Sequence, residues 1–202
     1  MTRHINDFYV KEAQRLGYAS RAAFKILEIQ KKDKIFKPGM TVIDLGAAPG
    51  GWSQVALECI GRNGRVIAVD LLEMDEFSNM TFIQGDFNDE IILEKIKLIL
   101  EEKKADIVIS DMAPNLSGQS SIDQPRSMHL LELALDCARQ FLKPRGCFLF
   151  KAFQGAGLDE FVQDLKHDFK TVKYRKPEAS RSESKERYVL AIDFHDRYND
   201  PK

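Results

Sequence analysis

The sequence of 202 residues has few cysteines, no long apolar run and a net charge of only −1. Its three cysteines are scattered, and no pair has the spacing of zinc ligands, so we expect reduced thiols and no bound metal. No stretch is long and apolar enough to span a bilayer, and the N-terminus lacks the apolar core of an export signal. These absences predict a cytoplasmic protein without a membrane partner.

Basic and acidic residues balance over the whole chain, but they are unevenly distributed along it. Residues 1–37 hold nine Lys and Arg against four acids, and residues 165–187 hold eight against four. Acidic residues concentrate instead between Asp70 and Glu102. If the two basic segments meet in space, they form one positive face that suits a polyanion. If they do not meet, they are two separate solvated surfaces.

The hydrophobic pattern predicts an α/β fold in a single domain that spans residues 1–202. Short apolar runs predict strands at residues 41–45, 65–71, 80–84, 106–110, 147–150, 169–174 and 188–194. Apolar residues at helical spacing predict helices at residues 21–32, 52–60, 89–102, 126–142 and 158–167. This alternation indicates a mostly parallel sheet with helices on both faces.

Three connecting segments carry more specific expectations. Residues 7–19 are expected to form a short helical or irregular lead-in, and Ser20 is expected to cap the helix that follows. The polar segment 115–124 is expected to be a mobile loop that faces the substrate, with a plain surface loop as the alternative.

A glycine-rich turn connects the first predicted sheet strand to the next helix. In this turn Ala48 stands where a dinucleotide-binding turn has its second glycine, and Pro49 has no backbone N–H to donate to a phosphate. The turn therefore suits a ligand without a pyrophosphate, such as S-adenosylmethionine, and disfavours a nicotinamide-dependent oxidoreductase. On these residues alone, an ordinary strand-to-helix connection is an equal alternative.

Charged residues stand at the ends of predicted strands, namely Asp44, Asp70, Asp86, Asp111 and Lys151. One acid in such a position is commonly a helix cap, but parallel strands gather their carboxyl ends at the edge where ligands bind. These charged residues, gathered at one edge of the sheet, predict an adenosine pocket. Asp70, about twenty residues after the turn, would accept the ribose hydroxyls. Asp86 would accept the adenine amine while Phe87 packs on the ring, and the methionine end would rest on residues 46–50.

Several segments resemble the FtsJ/RrmJ family of S-adenosylmethionine-dependent RNA 2′-O-methyltransferases, and they lie at residues 9–11, 20–30, 44–54, 110–115, 150–155 and 176–186. The resemblance covers nearly the whole chain. It implies a Rossmann-like methyltransferase fold whose seven-stranded, mostly parallel sheet has an antiparallel last strand. It also implies S-adenosylmethionine as cofactor, with contacts from Asp44, Gly46, Gly50, Trp52, Asp70, Asp86, Phe87 and Asp111.

The resemblance also places the family's Lys-Asp-Lys-Glu tetrad on Lys25, Asp111, Lys151 and Glu186. From the residues alone, Lys25 is a solvated helix lysine, and only the resemblance brings it to a site. The implied helix around Lys25, within a basic N-terminal extension of residues 1–37, would lie across the mouth of that site. Our hypothesis is that Lys151 accepts the proton of a ribose 2′-hydroxyl while Asp111 orients Lys151 and faces the sulfonium. Lys25 would stabilise the developing alkoxide, and Glu186 would position a lysine.

In length, the chain resembles family members that have no extra domains. This resemblance implies a specific substrate, a uridine 2′-hydroxyl in the A-loop of 23S ribosomal RNA within the assembled 50S subunit. The enzyme is expected to be a monomer. Transfer RNA or another RNA is the alternative substrate, and a non-catalytic RNA-binding protein is disfavoured because the tetrad is intact. The predicted RNA contacts are Tyr18 for stacking and, for phosphates, Arg21, Lys32, Arg175, Lys176 and Arg181. The alternative for each is an ordinary surface side chain.

Overall fold

A computed structural model of the chain describes residues 2–115, 117–180 and 184–195, with side chains from residue 8 onward. The helices of this part are α1 (Thr2–Leu16), α2 (Ala23–Asp33), α3 (Gly51–Ile60), α4 (Glu90–Leu100), α5 (Ser120–Phe141) and α6 (Leu158–Asp168). Its strands are β1 (Thr41–Leu45), β2 (Arg65–Asp70), β3 (Met80–Gln84), β4 (Ala105–Ser110), β5 (Leu142–Phe153), β6 (Phe169–Arg175) and β7 (Glu186–Phe194). None of these helices combines the length and the apolarity that a membrane crossing needs.

The strands of the described residues form one sheet in the order β3-β2-β1-β4-β5-β7-β6. Neighbouring strands from β3 to β5 pair in parallel, whereas β7 runs antiparallel to both β5 and β6. The predicted seven-stranded sheet with an antiparallel last strand is therefore confirmed. Because parallel strands end at one edge, the strand-end acids and Lys151 gather there.

Alternate side chains of each strand point to opposite faces, and each face supports its own apolar core. On one face, residues such as Ile43 and Val108 pack against apolar side chains of α4, α5 and α6. On the other face, residues such as Val42 and Ile107 pack against α2 and α3. The β-branched runs thus form strands that are buried on both faces, as expected for a sheet covered by helices.

Of two expectations about the N-terminal segment, one is confirmed in part and one is wrong. The lead-in is helical rather than irregular, but its helix, α1, is longer than expected. Ser20 does not cap α2 with its side chain. Instead its carbonyl oxygen accepts a hydrogen bond from the N–H of Ala23 at 3.2 Å, and α2 has no side-chain cap. A backbone turn between the two helices satisfies this donor without a cap.

The segment after β4 also differs from the expected loop, because α5 begins at Ser120 and includes Pro125. The Asp123 carboxylate accepts hydrogen bonds from the backbone N–H groups of Ser117 and Gly118, at 2.8 and 2.9 Å, and so folds the preceding segment onto this first turn. Strand β5 likewise starts earlier than expected, because residues before its predicted start already pair with β4 ahead of a register shift.

Candidate active site

Strand register brings three members of the predicted tetrad to one edge of the sheet. Strands β4 and β5 pair side by side, and Asp111 follows β4 while Lys151 lies near the end of β5. Strand β7 runs back along β5 and pairs Tyr188 with Lys151. Because β7 is antiparallel, its first residue, Glu186, lies at the edge where the parallel strands end.

Two ion pairs form at this edge. The Nζ atom of Lys25 lies 2.7 Å from Oε1 of Glu186, and the Nζ atom of Lys151 lies 3.1 Å from Oδ1 of Asp111. Lys151 also donates to the backbone carbonyl oxygen of Asp111. The side chains of Lys25 and Lys151 are only 8% and 9% exposed. All four predicted residues therefore meet, and Glu186 is the partner of Lys25.

Tyr188 connects the two ion pairs, although the sequence analysis did not single it out. Its Oη atom lies 3.1 Å from Oδ1 of Asp111 and 2.8 Å from Oε1 of Glu186, and Nζ of Lys25 lies 5.5 Å from the centre of its ring. Burial, followed by the charges of Asp111 and Glu186, raises the pKa of Tyr188 well above its usual value. The phenol therefore stays a neutral hydrogen-bond donor. The available signal was its position two residues after Glu186, since such residues share one face of a strand.

Glu186 is held as a charged acceptor. Burial raises the pKa of its carboxyl, but the charge and hydrogen bond of Lys25, the hydrogen bond of Tyr188 and the charge of Lys151 together lower it below its usual range. Ser180 donates a further hydrogen bond to Oε1 at 3.2 Å. The carboxylate thus gathers donors from α2, β7 and the segment between β6 and β7.

Helix α2 carries Lys25 and is fastened to the β6–β7 side of the molecule at two further points. The carboxylate of Glu28 accepts hydrogen bonds at 2.7 and 3.0 Å from two successive backbone N–H groups at residues 178–179. Asp33, at the end of the helix, forms a bidentate ion pair with Arg175, at 2.7 and 2.5 Å. These contacts fix the helix, and therefore Lys25, relative to the strand that carries Glu186.

Trp52, a predicted cofactor contact, lies beneath the tetrad. Its indole N–H donates to the carbonyl oxygen of Ala22 at 3.0 Å, and its ring centre lies 5.6 Å from that of Tyr188. The side chain is almost fully buried. Trp52 therefore ties α3 to the segment before α2 and supports the Tyr188 ring.

The glycine-rich turn needs glycine at both predicted positions. Gly46 and Gly50 have φ angles of 72° and 110°, in the region that side chains rarely adopt. A Cβ atom on Gly46 would lie 2.3 Å from the Met112 side chain. The turn is also held to β2, because Oδ2 of Asp70 accepts a hydrogen bond from the N–H of Ala48 at 2.9 Å. Protein side chains thus pack too closely on this turn for a residue with a side chain at either position.

Asp44 is the clearest sign of a ligand at this turn. The residue is fully buried, and its Oδ2 accepts a hydrogen bond from Ser53 at 2.6 Å, whereas Oδ1 has no partner in the part of the chain that the structure describes. Burial raises the pKa of Asp44 to about 7, and the negative charges of Asp111 and Asp70 act in the same direction, whereas the hydrogen bond from Ser53 lowers the pKa. A buried acceptor without a donor fits the ammonium group of the methionine end of S-adenosylmethionine.

The predicted adenosine contacts lie at the neighbouring strand ends. Oδ1 of Asp70 accepts from the N–H of Leu72 at 2.8 Å, and Oδ1 of Asp86 accepts from the N–H of Asn88 at 2.9 Å. Phe87 is buried in the core on the α4 side of the sheet. Carboxylate oxygens can accept more than one hydrogen bond, so Asp70 and Asp86 keep capacity for a ligand. The adenosine contacts of all three residues stay predictions.

Two of the predicted RNA contacts are engaged within the protein. The hydroxyl of Tyr18 donates to Glu58 at 2.9 Å, and burial together with this contact raises the pKa of Tyr18 to about 12. Besides its pairing with Asp33, Arg175 donates to the carbonyl oxygen of Tyr174 at 2.8 Å. The structure thus gives Arg175 an architectural role that the sequence analysis did not anticipate.

The other predicted RNA contacts show that the two basic segments meet. Lys32 on α2 and Lys176 after β6 are exposed and line the same groove. Arg21 is partly buried and interacts with the protein, and Arg181 lies outside the described residues. The contacts of α2 with Arg175 and with residues 178–179 bring both segments to one side of the tetrad.

Comparisons with known proteins bear on the relatives and on the fold of this chain. The model of the FtsJ-like methyltransferase family matches residues 18–194. A protein of Chromohalobacter salexigens named ribosomal RNA large subunit methyltransferase E is 54% identical over 195 residues, which cover 96% of this chain and 93% of that protein. A crystal structure assigned as a ribosomal RNA methyltransferase of Plasmodium falciparum is 30% identical and superposes with a TM-score of 0.78, covering 88% of this chain and 98% of the other. A structure assigned as an rRNA methylase of Clostridium thermocellum is 16% identical, has a TM-score of 0.56, covers 83% of this chain and 94% of the other, and supports the fold alone.

Proposed function

We propose the function of this chain from one premise, that it belongs to the FtsJ-like methyltransferase family. The proposed reaction transfers a methyl group from S-adenosylmethionine to the 2′-hydroxyl of a uridine in large-subunit ribosomal RNA. The observation that carries the proposal is the meeting of two buried lysines and two carboxylates at one sheet edge, next to a glycine-rich turn. A methyl transfer to a hydroxyl needs a proton acceptor and charge stabilisation, and this set offers both.

The residues of the chain have distinct tasks in this proposal. Bound S-adenosylmethionine supplies the electrophilic methyl group, and Asp44, Gly46, Gly50, Asp70, Asp86 and Phe87 would hold it. Lys151, oriented by Asp111, accepts the proton of the 2′-hydroxyl. The ammonium of Lys25, held by Glu186, stabilises the negative charge that develops on the ribose oxygen.

The substrate assignment rests on the relatives and on two exposed lysines in a groove that Glu28 and Glu178 also line. The relative that is 54% identical is named for the large-subunit ribosomal RNA, and Lys32 and Lys176 line a groove on the tetrad side. We propose a monomer that forms one methyltransferase domain over residues 1–202 and acts on the A-loop of the assembled 50S subunit. Transfer RNA or another RNA is the alternative substrate, because the same tetrad would serve there.

The catalytic part of the proposal is tested by Lys151→Ala. We expect methyl transfer to fall by at least about a hundredfold, the usual contribution of a general base, while S-adenosylmethionine binding measured separately stays near wild type. Lys170→Ala is the matched control, because that lysine is 77% exposed on β6. Turnover near wild type in Lys151→Ala would contradict the assignment of the base.

The substrate part is tested by mapping 2′-O-methyl groups. Large-subunit RNA from cells with and without this protein should differ at one uridine, which the purified protein should then methylate on 50S subunits. Free transfer RNA, assayed in parallel, should remain unmodified. Methylation of transfer RNA but not of subunits would replace the first substrate by the alternative.

A further inference from the structure

A cavity of about 510 Å³ opens beside the tetrad, between the first turns of α5, the turn after β5 and the residues before β7. Hydroxyl and carboxamide side chains and one aromatic ring line it, among them Ser120, Ser127, Gln124, Gln154 and Phe153, with Lys185 at the border. Its volume is in the range of pockets that bind small molecules. Neither the tetrad nor the cofactor contacts include any of these residues.

The cavity adjoins the tetrad, so nucleotides on either side of a ribose bound there lie within reach of it. Phe153 pairs with Glu186 across β5 and β7, and the N–H of Gln154 donates to the carbonyl oxygen of Lys185 at 2.9 Å. Directly paired residues on antiparallel strands have Cα atoms about 5 Å apart, so this wall of the cavity adjoins the tetrad. The glycine-rich turn belongs to β1, which lies on the other side of β4. The tetrad therefore separates the cofactor side of the sheet edge from the cavity.

The lining chemistry suits a nucleobase better than a phosphate. A phosphate site collects cations and backbone N–H groups, but among the described residues that line this cavity Lys185 is the one with a positive side chain. The acid of the lining, Asp123, already accepts hydrogen bonds from the N–H groups of Ser117 and Gly118. The remaining polar groups are neutral hydroxyls and amides, which both donate and accept and can read the edge of a base. The ring of Phe153 offers a stacking surface, and unpaired RNA bases commonly bind in this way.

Part of the cavity wall is already fixed in place. Gln124 donates from Nε2 to the carbonyl oxygen of Ala156 at 2.9 Å and so ties α5 to the turn after β5. A Cβ atom on Gly155 would lie 2.4 Å from Oε1 of the same glutamine, so the end of this side chain packs directly on the turn. A wall held by such contacts does not have to be assembled when the ligand arrives.

We propose that this cavity binds one nucleobase of the RNA substrate, from the target nucleotide or from one of its two neighbours. The enzyme would then read a base as well as a ribose, and the base would position the 2′-hydroxyl at the tetrad. This inference rests on the proposed RNA methyltransferase function.

The test combines changes in the RNA with changes in the cavity. Abasic nucleotides are placed one at a time at the target and at its two neighbours, in RNA that the wild-type protein methylates. For wild type, kcat/KM should fall about tenfold at one of these positions, since a base stacked on an aromatic side chain contributes in that range. Phe153→Leu should lose about the same factor with intact RNA, and the abasic nucleotide should then cause no further loss. Phe82→Leu is the matched control, because Phe82 is a half-buried phenylalanine on β3, at the far end of the sheet.

The outcomes separate the two proposals. An abasic penalty that is equal in wild type and Phe153→Leu at every position, or no penalty at any position, would overturn the cavity proposal. If thermal unfolding shows that Phe153→Leu is not folded, the same comparison of intact and abasic RNA is made with Gln154→Ala, which changes an exposed residue of the same wall. Failure of wild type to methylate any intact RNA would instead overturn the proposed function.

Discussion

The ion pair between Arg175 and Asp33 offers a sharp test, because the sequence and the structure give Arg175 different roles. The sequence predicts a phosphate contact, whereas the structure places the guanidinium in a bidentate pair that ends α2. If the pair only holds the fold together, Arg175→Gln and Asp33→Asn should each destabilise the protein. Both should leave the salt dependence of RNA binding unchanged. The two changes should also fail to add, because both remove the same interaction.

The size of the loss follows from burial and geometry. Breaking a buried pair by removing one partner costs about 3–5 kcal/mol. The side chains of Arg175 and Asp33 are 16% and 6% exposed, so water reaches the arginine and lowers the expected cost to about 2–3 kcal/mol. For a protein of this size, such a loss lowers Tm by roughly 4–12 °C. The free energy of unfolding of the double variant should lie within about 0.5 kcal/mol of that of the less stable single variant.

The same pair predicts how the loss depends on pH. The hydrogen bonds from Arg175 lower the pKa of Asp33 below its usual value, and the charges of Arg175, Lys173 and Lys32 lower it further. Burial acts in the opposite direction but does not outweigh them. The folded state then binds this proton less readily than the unfolded state, whose Asp has a pKa of about 3.9. The stability from the pair is therefore present above about pH 4 and disappears as the pH falls further. Wild type and Asp33→Asn should converge in acid.

Thermal unfolding at several pH values and RNA binding at several salt concentrations provide the assay. Arg175→Gln should leave the slope of binding against salt unchanged. The control is Lys176→Ala, the exposed neighbour, which should leave Tm nearly unchanged and reduce the slope by about 0.7–0.9, as expected for one lost phosphate contact. Our reasoning would be refuted if Arg175→Gln kept its Tm and lost salt dependence instead.

Three further variants test the site itself. Tyr188→Phe keeps the ring beneath Lys25 but removes the donor between Asp111 and Glu186, so kcat should fall about tenfold with KM for S-adenosylmethionine unchanged; a wild-type kcat would exclude a positioning role. Asp44 has a pKa of about 7 in the folded state, above its value in the unfolded state, so the folded state holds this proton more tightly. Unliganded wild type should therefore lose stability relative to Asp44→Asn as the pH rises from about 4 to 7. A stability difference that does not change with pH would contradict this. The charged form should bind the cofactor ammonium, so affinity measured by calorimetry should rise over the upper part of that range in wild type and stay level in Asp44→Asn. Trp52→Phe loses the hydrogen bond to Ala22 and should cost about 1–2 kcal/mol in denaturant unfolding, with cofactor affinity kept; lost affinity at unchanged stability would assign the indole to the cofactor.

Local patterns were sufficient for the layered fold because each strand and helix carries its own signal. Apolar runs bounded by turns located each strand of the described residues, and the order of strands and helices indicated a mostly parallel sheet with helices on both faces. One error occurred where a contact distant in sequence decides the outcome, since strand β5 begins early because its first residue pairs with β4. Another reflects a local side-chain contact that the pattern of residue types did not show, since Asp123 gathers the segment before α5 onto its first turn.

Residue identity alone determined which groups are available: the glycines of the turn, the strand-end acids and two lysines in motifs that resemble a known family. Only the tertiary structure decided how they pair, because α2, β5 and β7 are far apart in sequence. Their packing selects Glu186 for Lys25 and Asp111 for Lys151, and it inserts the Tyr188 hydroxyl between the two pairs. The same packing makes Arg175 an anchor of α2, since a carboxylate 142 positions away in the sequence pairs with its guanidinium, while the RNA contact of Arg175 stays a prediction.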